Sequence, residues 1–200
     1  MNLQPLFESQ KMLDALIVEQ HGLEGQDLLP EKILALQVEL GELANEWRGF
    51  KFWREDREPW GEMECGHCTN GYSHKNLGDG DVWIETCKTC DGRGTHNPML
   101  EEYVDCLHFI LSIGNDIYAA NIKPTKLISF SANITGQFNA LFHLISHCDT
   151  VTLLIDDGAY RVIFNNFLHL GEMLGFTWQQ IEEAYYAKNK INHTRQATGY

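Results

Sequence analysis

The sequence predicts an all-α helical bundle interrupted by a small metal-held insert. Three observations carry that expectation. Most of the chain repeats apolar residues at steps of three and four, the period of a helix. Alternation of Val, Ile and Thr is scarce outside residues 81–87. Residues 54–97, rich in Gly, charge, Cys and His, have no helical period. A chain of 200 residues is long enough for one globular body with an appended module, and it needs no disulfides to hold a core. The expected division is a helical body over 1–60 and 98–200, with an insert over 61–97.

Each helix has local support. Leu6, Gln10, Leu13 and Ile17 form one stripe over residues 6–18. Leu36, Leu40, Leu43 and Trp47 do the same over 31–47, with Pro30 where a first helical residue tolerates the missing N–H. Residues 99–118 place Val104, Leu107, Leu111 and Tyr118 near one face, again behind a proline, Pro98. Further helices are expected over about 125–147 and about 160–174. Gly175 reads as a helix stop. Thr177 and Gln180 have capping-box spacing for a last helix reaching the 190s.

Composition narrows the function. Asp and Glu number 28 against 15 Lys and Arg, a formal net charge of −13. That balance argues against broad contact with the phosphate backbone of DNA or RNA. It leaves room for a phosphorylated small molecule, because clustered carboxylates hold Mg²⁺ and Mg²⁺ holds phosphates. No apolar run approaches the ~20 residues that cross a bilayer. The first residues lack the pattern of a secretion signal, so the expected compartment is the cytoplasm.

Two acidic pairs stand out. Glu39 and Glu42 lie on one predicted helix, Glu102 and Asp105 on another, each pair at i, i+3 and so on one helix face. Helix surfaces are rich in acids, and one such pair carries little information. Two pairs on helices whose other residues face a core carry more, because converging carboxylates there are costly unless a cation neutralises them. Mg²⁺ is the natural cation. Glu46 and Glu101 are expected to point outward. Near the C-terminus, Lys188, Asn192 and Arg195 share a face at steps of four and three. Lys and Arg suit phosphate oxygens and Asn supplies amide donors.

Four of the six cysteines form two pairs, Cys65 with Cys68 and Cys87 with Cys90. Two tight CxxC pairs suit tetrahedral Zn²⁺ better than disulfides in a chain read as cytoplasmic. Glycines beside them let backbone N–H groups turn toward sulfur. His67, His74 and His96 are secondary ligand candidates. Cys106 and Cys148 lie in apolar helical contexts and read as free thiols.

The strings ELGELANEWRGFKFW (39–53), EEYVDCLHFILSIG (101–114) and KNKINHTRQATGY (188–200) resemble the dimeric dUTPase branch of the all-α, MazG-like NTP pyrophosphatases. The resemblance covers nearly the whole chain outside about 54–97, and the insert has no counterpart in it. It implies hydrolysis of dUTP, and of dUDP, to dUMP by a homodimer. It implies Mg²⁺ held by Glu39, Glu42, Glu102 and Asp105, and phosphates gripped by Lys188, Asn192 and Arg195. It assigns base recognition to Gln10, Trp53 and Phe109. Where the family tends to carry Asn four residues after that Gln, this chain has Asp14. Glu42 is the candidate general base and His108 is first a packing residue. Two alternatives stay open: a MazG-like pyrophosphatase for another nucleoside triphosphate, and a non-catalytic zinc-ribbon interaction protein.

Overall fold

The computed structural model describes residues 2–78, 81–87, 90, 92–120, 131–148 and 157–199. The described helices are α1 (Gln4–His21), α2 (Leu29–Trp47), α3 (Pro98–Asp116), α4 (Ile134–Ser146), α5 (Asp157–Met173) and α6 (Trp178–Thr198). Four short strands, β1 (Met63–Glu64), β2 (Tyr72–Gly78), β3 (Asp81–Thr86) and β4 (Thr95–His96), lie between α2 and α3. The all-α expectation holds for the body. Of the helix expected over 125–147, residues 125–130 lie outside the described residues, and α4 starts at Ile134. Helix α5 starts at Asp157, earlier than expected.

Helix ends follow their chemistry. Prolines open α1, α2 and α3, where their missing N–H costs nothing. The Asn97 side chain caps α3 by accepting from the Leu100 N–H at 3.1 Å. The Thr177–Gln180 capping box forms in both directions at the start of α6. Gly175, at φ +88°, turns the chain between α5 and α6.

Helix α3 is the axis of the bundle. It packs most extensively on α2, and also on α1, α5 and α6. Its buried residues run nearly all round it, from Tyr103 and Val104 through Leu107, Ile110 and Leu111 to Gly114. Leu36, Leu40 and Leu43 of α2 are fully buried on the same core. Three buried tyrosines tie the helices together by donating to carbonyls: Tyr103 to Phe167 at 3.3 Å, Tyr160 to Ile110 at 2.8 Å and Tyr185 to Leu6 at 3.2 Å. Each buried hydroxyl is thereby satisfied, which removes a cost of about 1–3 kcal/mol.

The insert is a two-layered excursion. At its base β1 pairs antiparallel with β4, Met63 opposite His96. Beyond the cysteines, β2 and β3 form an antiparallel hairpin with Tyr72 opposite Thr86. Strand β3 matches the alternation seen in the sequence. Strand β2 escapes it, because its residues YSHKNLG are polar and mostly exposed. Gly71 has φ +88°, and a Cβ there would lie 2.1 Å from the Gly92 carbonyl oxygen. That close approach brings the two cysteine turns together.

The packing of α3 on α5 gives a test. A Cβ at Gly114 would lie 2.2 Å from the Tyr160 hydroxyl. Gly114→Ala is expected to lower stability by about 1–3 kcal/mol through overpacking, read from urea denaturation midpoints. An unchanged midpoint would contradict this packing.

Candidate active site

The α2–α3 seam brings the two acidic pairs together. Oxygens of Glu39, Glu102 and Asp105 all lie within 4.8 Å of one another, and all three residues are half-buried. Glu42 lies one turn beyond Glu39, exposed and outside this tight group. Its charge still raises the pKa of both Glu39 and Glu102. Of the four acids expected around the cation, three converge and Glu42, the candidate general base, stands at their edge. Glu101, expected to face outward, is half-buried and sits 3.5 Å from His96 Nδ1.

Burial, then repulsion from Asp105 and Glu42, pushes Glu39 up to about 7. The same causes push Glu102 up to about 7. Asp105 is raised by burial, against the pull of Lys188. The Lys188 ammonium donates to Asp105 Oδ2 at 2.5 Å, one cation against three acids. A donor set of three hard oxygens with unbalanced charge fits a divalent cation such as Mg²⁺.

Two cavities lie on either side of the Asp105–Lys188 pair. The first, about 320 Å³, is mostly apolar and is lined by Gln10, Asp14, Asp105, His108, Phe109 and Asn192 among others. The second is a cleft of about 490 Å³ between α3 and α6, lined by Lys188, Lys190, Arg195, Arg93 and Asn97 among others. Asp105 lines one cavity, and its partner Lys188 lines the other. The Asp105–Lys188 contact therefore links the apolar pocket to the cationic cleft.

Gln10 is held rigidly. Its Nε2 donates to Asp14 Oδ1 at 2.8 Å, and its Oε1 accepts from the Tyr185 hydroxyl at 3.1 Å. The same Oε1 lies 2.7 Å from His108 Nδ1, so that nitrogen carries the proton. His108 Nε2 is then an acceptor, buried and without a hydrogen-bond partner. Burial, and Lys188 nearby, lower the His108 pKa to about 3. Its ring stacks on Tyr185 with centroids 4.4 Å apart. Burial also raises Asp14, against the pull of Lys32.

Of the residues singled out in the sequence, Gln10, Phe109 and Asn192 come together at the pocket, and Lys188 and Arg195 at the cleft. Trp53 does not join them. It lies in the loop after α2, 63% exposed, edge-on to Phe50 and Phe52. The chain leaves α2 at Arg48, whose φ of +63° turns the aromatic string away from the helix. Sequence pattern suits His108 to packing or to support of neighbouring site residues, and gives no signal for Tyr185 or Arg93. The Gln10–Asp14 spacing of four was the available hint for this network.

The dUTPase family model matches residues 2–65 and 88–200. The chain belongs to the dUTPase family. As a dUTPase it is an enzyme that hydrolyses dUTP, and the carboxylate seam, the pocket and the cleft all lie in the matched regions. The dUTPase match leaves out residues 66–87, which hold Cys68, Cys87 and both strands of the β2–β3 hairpin. No curated protein matches the chain. Among the described residues, no helix is long and apolar enough to cross a membrane.

The four cysteines form a second cluster, with every Sγ within 4.8 Å of the others. Cys65 and Cys87 sulfurs are 3.9 Å apart, Cys68 and Cys90 3.6 Å. A Zn–S tetrahedron with bonds of about 2.3 Å has edges of about 3.8 Å. These spacings therefore fit a tetrahedral metal, and none is a disulfide. The Gly94 N–H donates to Cys90 Sγ at 3.2 Å, as expected of glycines beside the ligands.

The acidic seam has a pH signature. Glu39 and Glu102 hold their protons more tightly in the folded state, so their contribution to stability is present below pH about 4.5 and lost as pH rises through about 7. Glu102→Gln removes one repelling charge. In magnesium-free buffer its melting temperature relative to wild type is expected to rise between pH about 5 and about 8. A difference that stays constant over that range would contradict the repulsion.

Proposed function

We propose that this enzyme carries out Mg²⁺-dependent hydrolysis of dUTP to dUMP and pyrophosphate, and also accepts dUDP. The observation that carries this reading is the order of the site: apolar pocket, carboxylate trio, cationic cleft. A nucleotide has the same order, with an apolar base at one end and phosphates at the other.

Glu39, Glu102 and Asp105 would hold Mg²⁺. When bound, the ion supplies charge neutralisation for the phosphates and acidifies water at neutral pH. Glu42, exposed at the edge of the trio, is the general base that takes the proton from the attacking water. Lys188 and Arg195 donate to phosphate oxygens and stabilise the charge that builds on them. Phe109, one turn beyond Asp105, offers a flat face for the base. The neutral His108 Nε2 supplies an acceptor suited to the uracil N3–H. Cytosine presents a lone pair at N3, and opposing acceptors would leave a buried group unpaired at a cost of about 1–3 kcal/mol. Gln10 positions His108 through their hydrogen bond. Trp53 has no role at this pocket within one chain.

The remaining parts of this reading rest on the family resemblance and on the cysteine geometry. The enzyme is a cytoplasmic homodimer of MazG-like ancestry. The four cysteines hold a structural Zn²⁺ in a module spanning 61–97. Its hairpin carries acids, Asp81 and Glu85, and exposed apolar side chains rather than a basic face, which gives little support to a nucleic-acid surface.

Glu42→Gln is expected to lower kcat for dUTP by about 10²–10⁴ at saturating Mg²⁺, measured as pyrophosphate release. Wild type is expected to prefer dUTP over dCTP, dTTP and UTP. Wild-type turnover in the variant would overturn the base assignment. Preference for another nucleotide would overturn the pocket reading and leave the carboxylate chemistry standing.

A further inference from the structure

The cationic cleft is not built by the helices alone. Arg93, from the turn after Cys90, lines it together with Asn97, Lys188 and Arg195. In a chain of net charge −13, a cleft lined by Arg93, Lys188, Lys190 and Arg195 against one acid, Glu101, is a local reversal of sign. Such a reversal suits the phosphate oxygens of an anionic ligand.

Arg93 is fixed from the cysteine side. Its Nε donates to the Cys90 carbonyl at 2.9 Å, and its backbone N–H donates to the same oxygen at 3.1 Å. The next residue, Gly94, donates to Cys90 Sγ at 3.2 Å and accepts from the Cys65 N–H at 2.8 Å. Arg93 therefore rides on a turn wound around one cysteine sulfur and tied to a second. With Nε committed to that carbonyl, the planar guanidinium still presents its Nη donors on the opposite side. The residue is exposed at the cleft rather than buried in the module.

We propose that Arg93 is a phosphate-binding residue of the cleft, and that metal at the four-cysteine centre holds it in place. The inference rests on the reading that this cleft takes the phosphates of dUTP. The insert is then part of the nucleotide site, and not only a clip on a long connection. Lys188 touches Asp105 of the carboxylate trio, whereas Arg93 enters from the module. Arg93 thus serves the distal phosphates, those that leave as pyrophosphate. Metal loss frees the Cys90 turn, and the side chain no longer starts from a fixed point.

The test uses the full chain with Zn²⁺ and Mg²⁺, and inorganic pyrophosphate as the probe in calorimetry. Arg93→Gln is expected to weaken pyrophosphate binding about tenfold, the scale of one charge-assisted hydrogen bond. It is expected to raise KM for dUTP while leaving inhibition by dUMP unchanged. Arg93→Lys, which keeps the charge, is expected to recover part of the affinity. Cys68→Ser, verified to have lost zinc and to keep its helical circular dichroism, is expected to weaken pyrophosphate binding as Arg93→Gln does. The double variant is expected to bind no worse than either single one. Wild-type pyrophosphate affinity in Arg93→Gln, with wild type active on dUTP, would overturn the assignment. Equal losses in the Gln and Lys variants, with dUMP inhibition lost as well, would mark a purely structural residue and overturn it too. A zinc-free Cys68→Ser with wild-type affinity would overturn the coupling to the metal. A wild type inactive on dUTP would instead remove the reading beneath it.

Discussion

Glu39, Glu102 and Asp105 repel one another across the α2–α3 seam, and much of the surrounding structure bears on that repulsion. The three oxygens lie within 4.8 Å in a half-buried setting, where like charges are costly unless neutralised. Lys188 supplies one positive charge by direct contact with Asp105. Two of the carboxylates answer by holding protons to about pH 7. The arrangement survives because α3 is packed nearly all round and cannot move away. Fully buried leucines of α2 hold the other side. Stability of the core is what holds the three carboxylates together against their repulsion.

The same axis sets the order of the cavities. Helix α3 carries Asp105 and, one turn later, Phe109 and His108. Helix α6 carries Lys188, Asn192 and Arg195, with Asn192 on the apolar side and the two cations on the cleft side. Helix α1 contributes Gln10, locked by Asp14, Tyr185 and His108. The pocket proposed for the base thus has a polar floor held by hydrogen bonds, and a rigid site discriminates better than one that can relax around the wrong partner. The four-cysteine module meets this layout at the far end of the cleft, through Arg93.

Local patterns were legible in the sequence where the physics is local. The i, i+3 carboxylate pairs and the two CxxC pairs each sit within one helical turn or one knuckle. Their spacing therefore fixes their shared direction. The 188–192–195 face instead divides, Asn192 lining the pocket and the two cations the cleft. Spacing alone does not separate Glu42, the candidate general base, from the other three acids, and the structure leaves it exposed at their edge. The Gln10–His108–Tyr185 network joins residues 98 and 175 positions apart, and no periodicity reaches that far. The resemblance assigns Trp53 to base recognition, but in this chain it lies exposed in the loop after the turn at Arg48. Strand β2 lacked alternation because neither of its faces covers a core. Arg93 was hidden among glycines and cysteines, where the metal pattern dominates.

The central claim is that the carboxylate seam is a cation site whose charge is held in check by protons. Calorimetric titration of Mg²⁺ into the enzyme, repeated in buffers of different ionisation enthalpy, tests it directly. Because Glu39 and Glu102 titrate at about 7, cation binding should displace protons. The apparent heat should then vary with the buffer at pH about 6.5 and much less at pH about 8.5. Glu39→Gln should reduce both the affinity and the proton release. Binding with no buffer dependence, or no Mg²⁺ binding at all, would contradict the account.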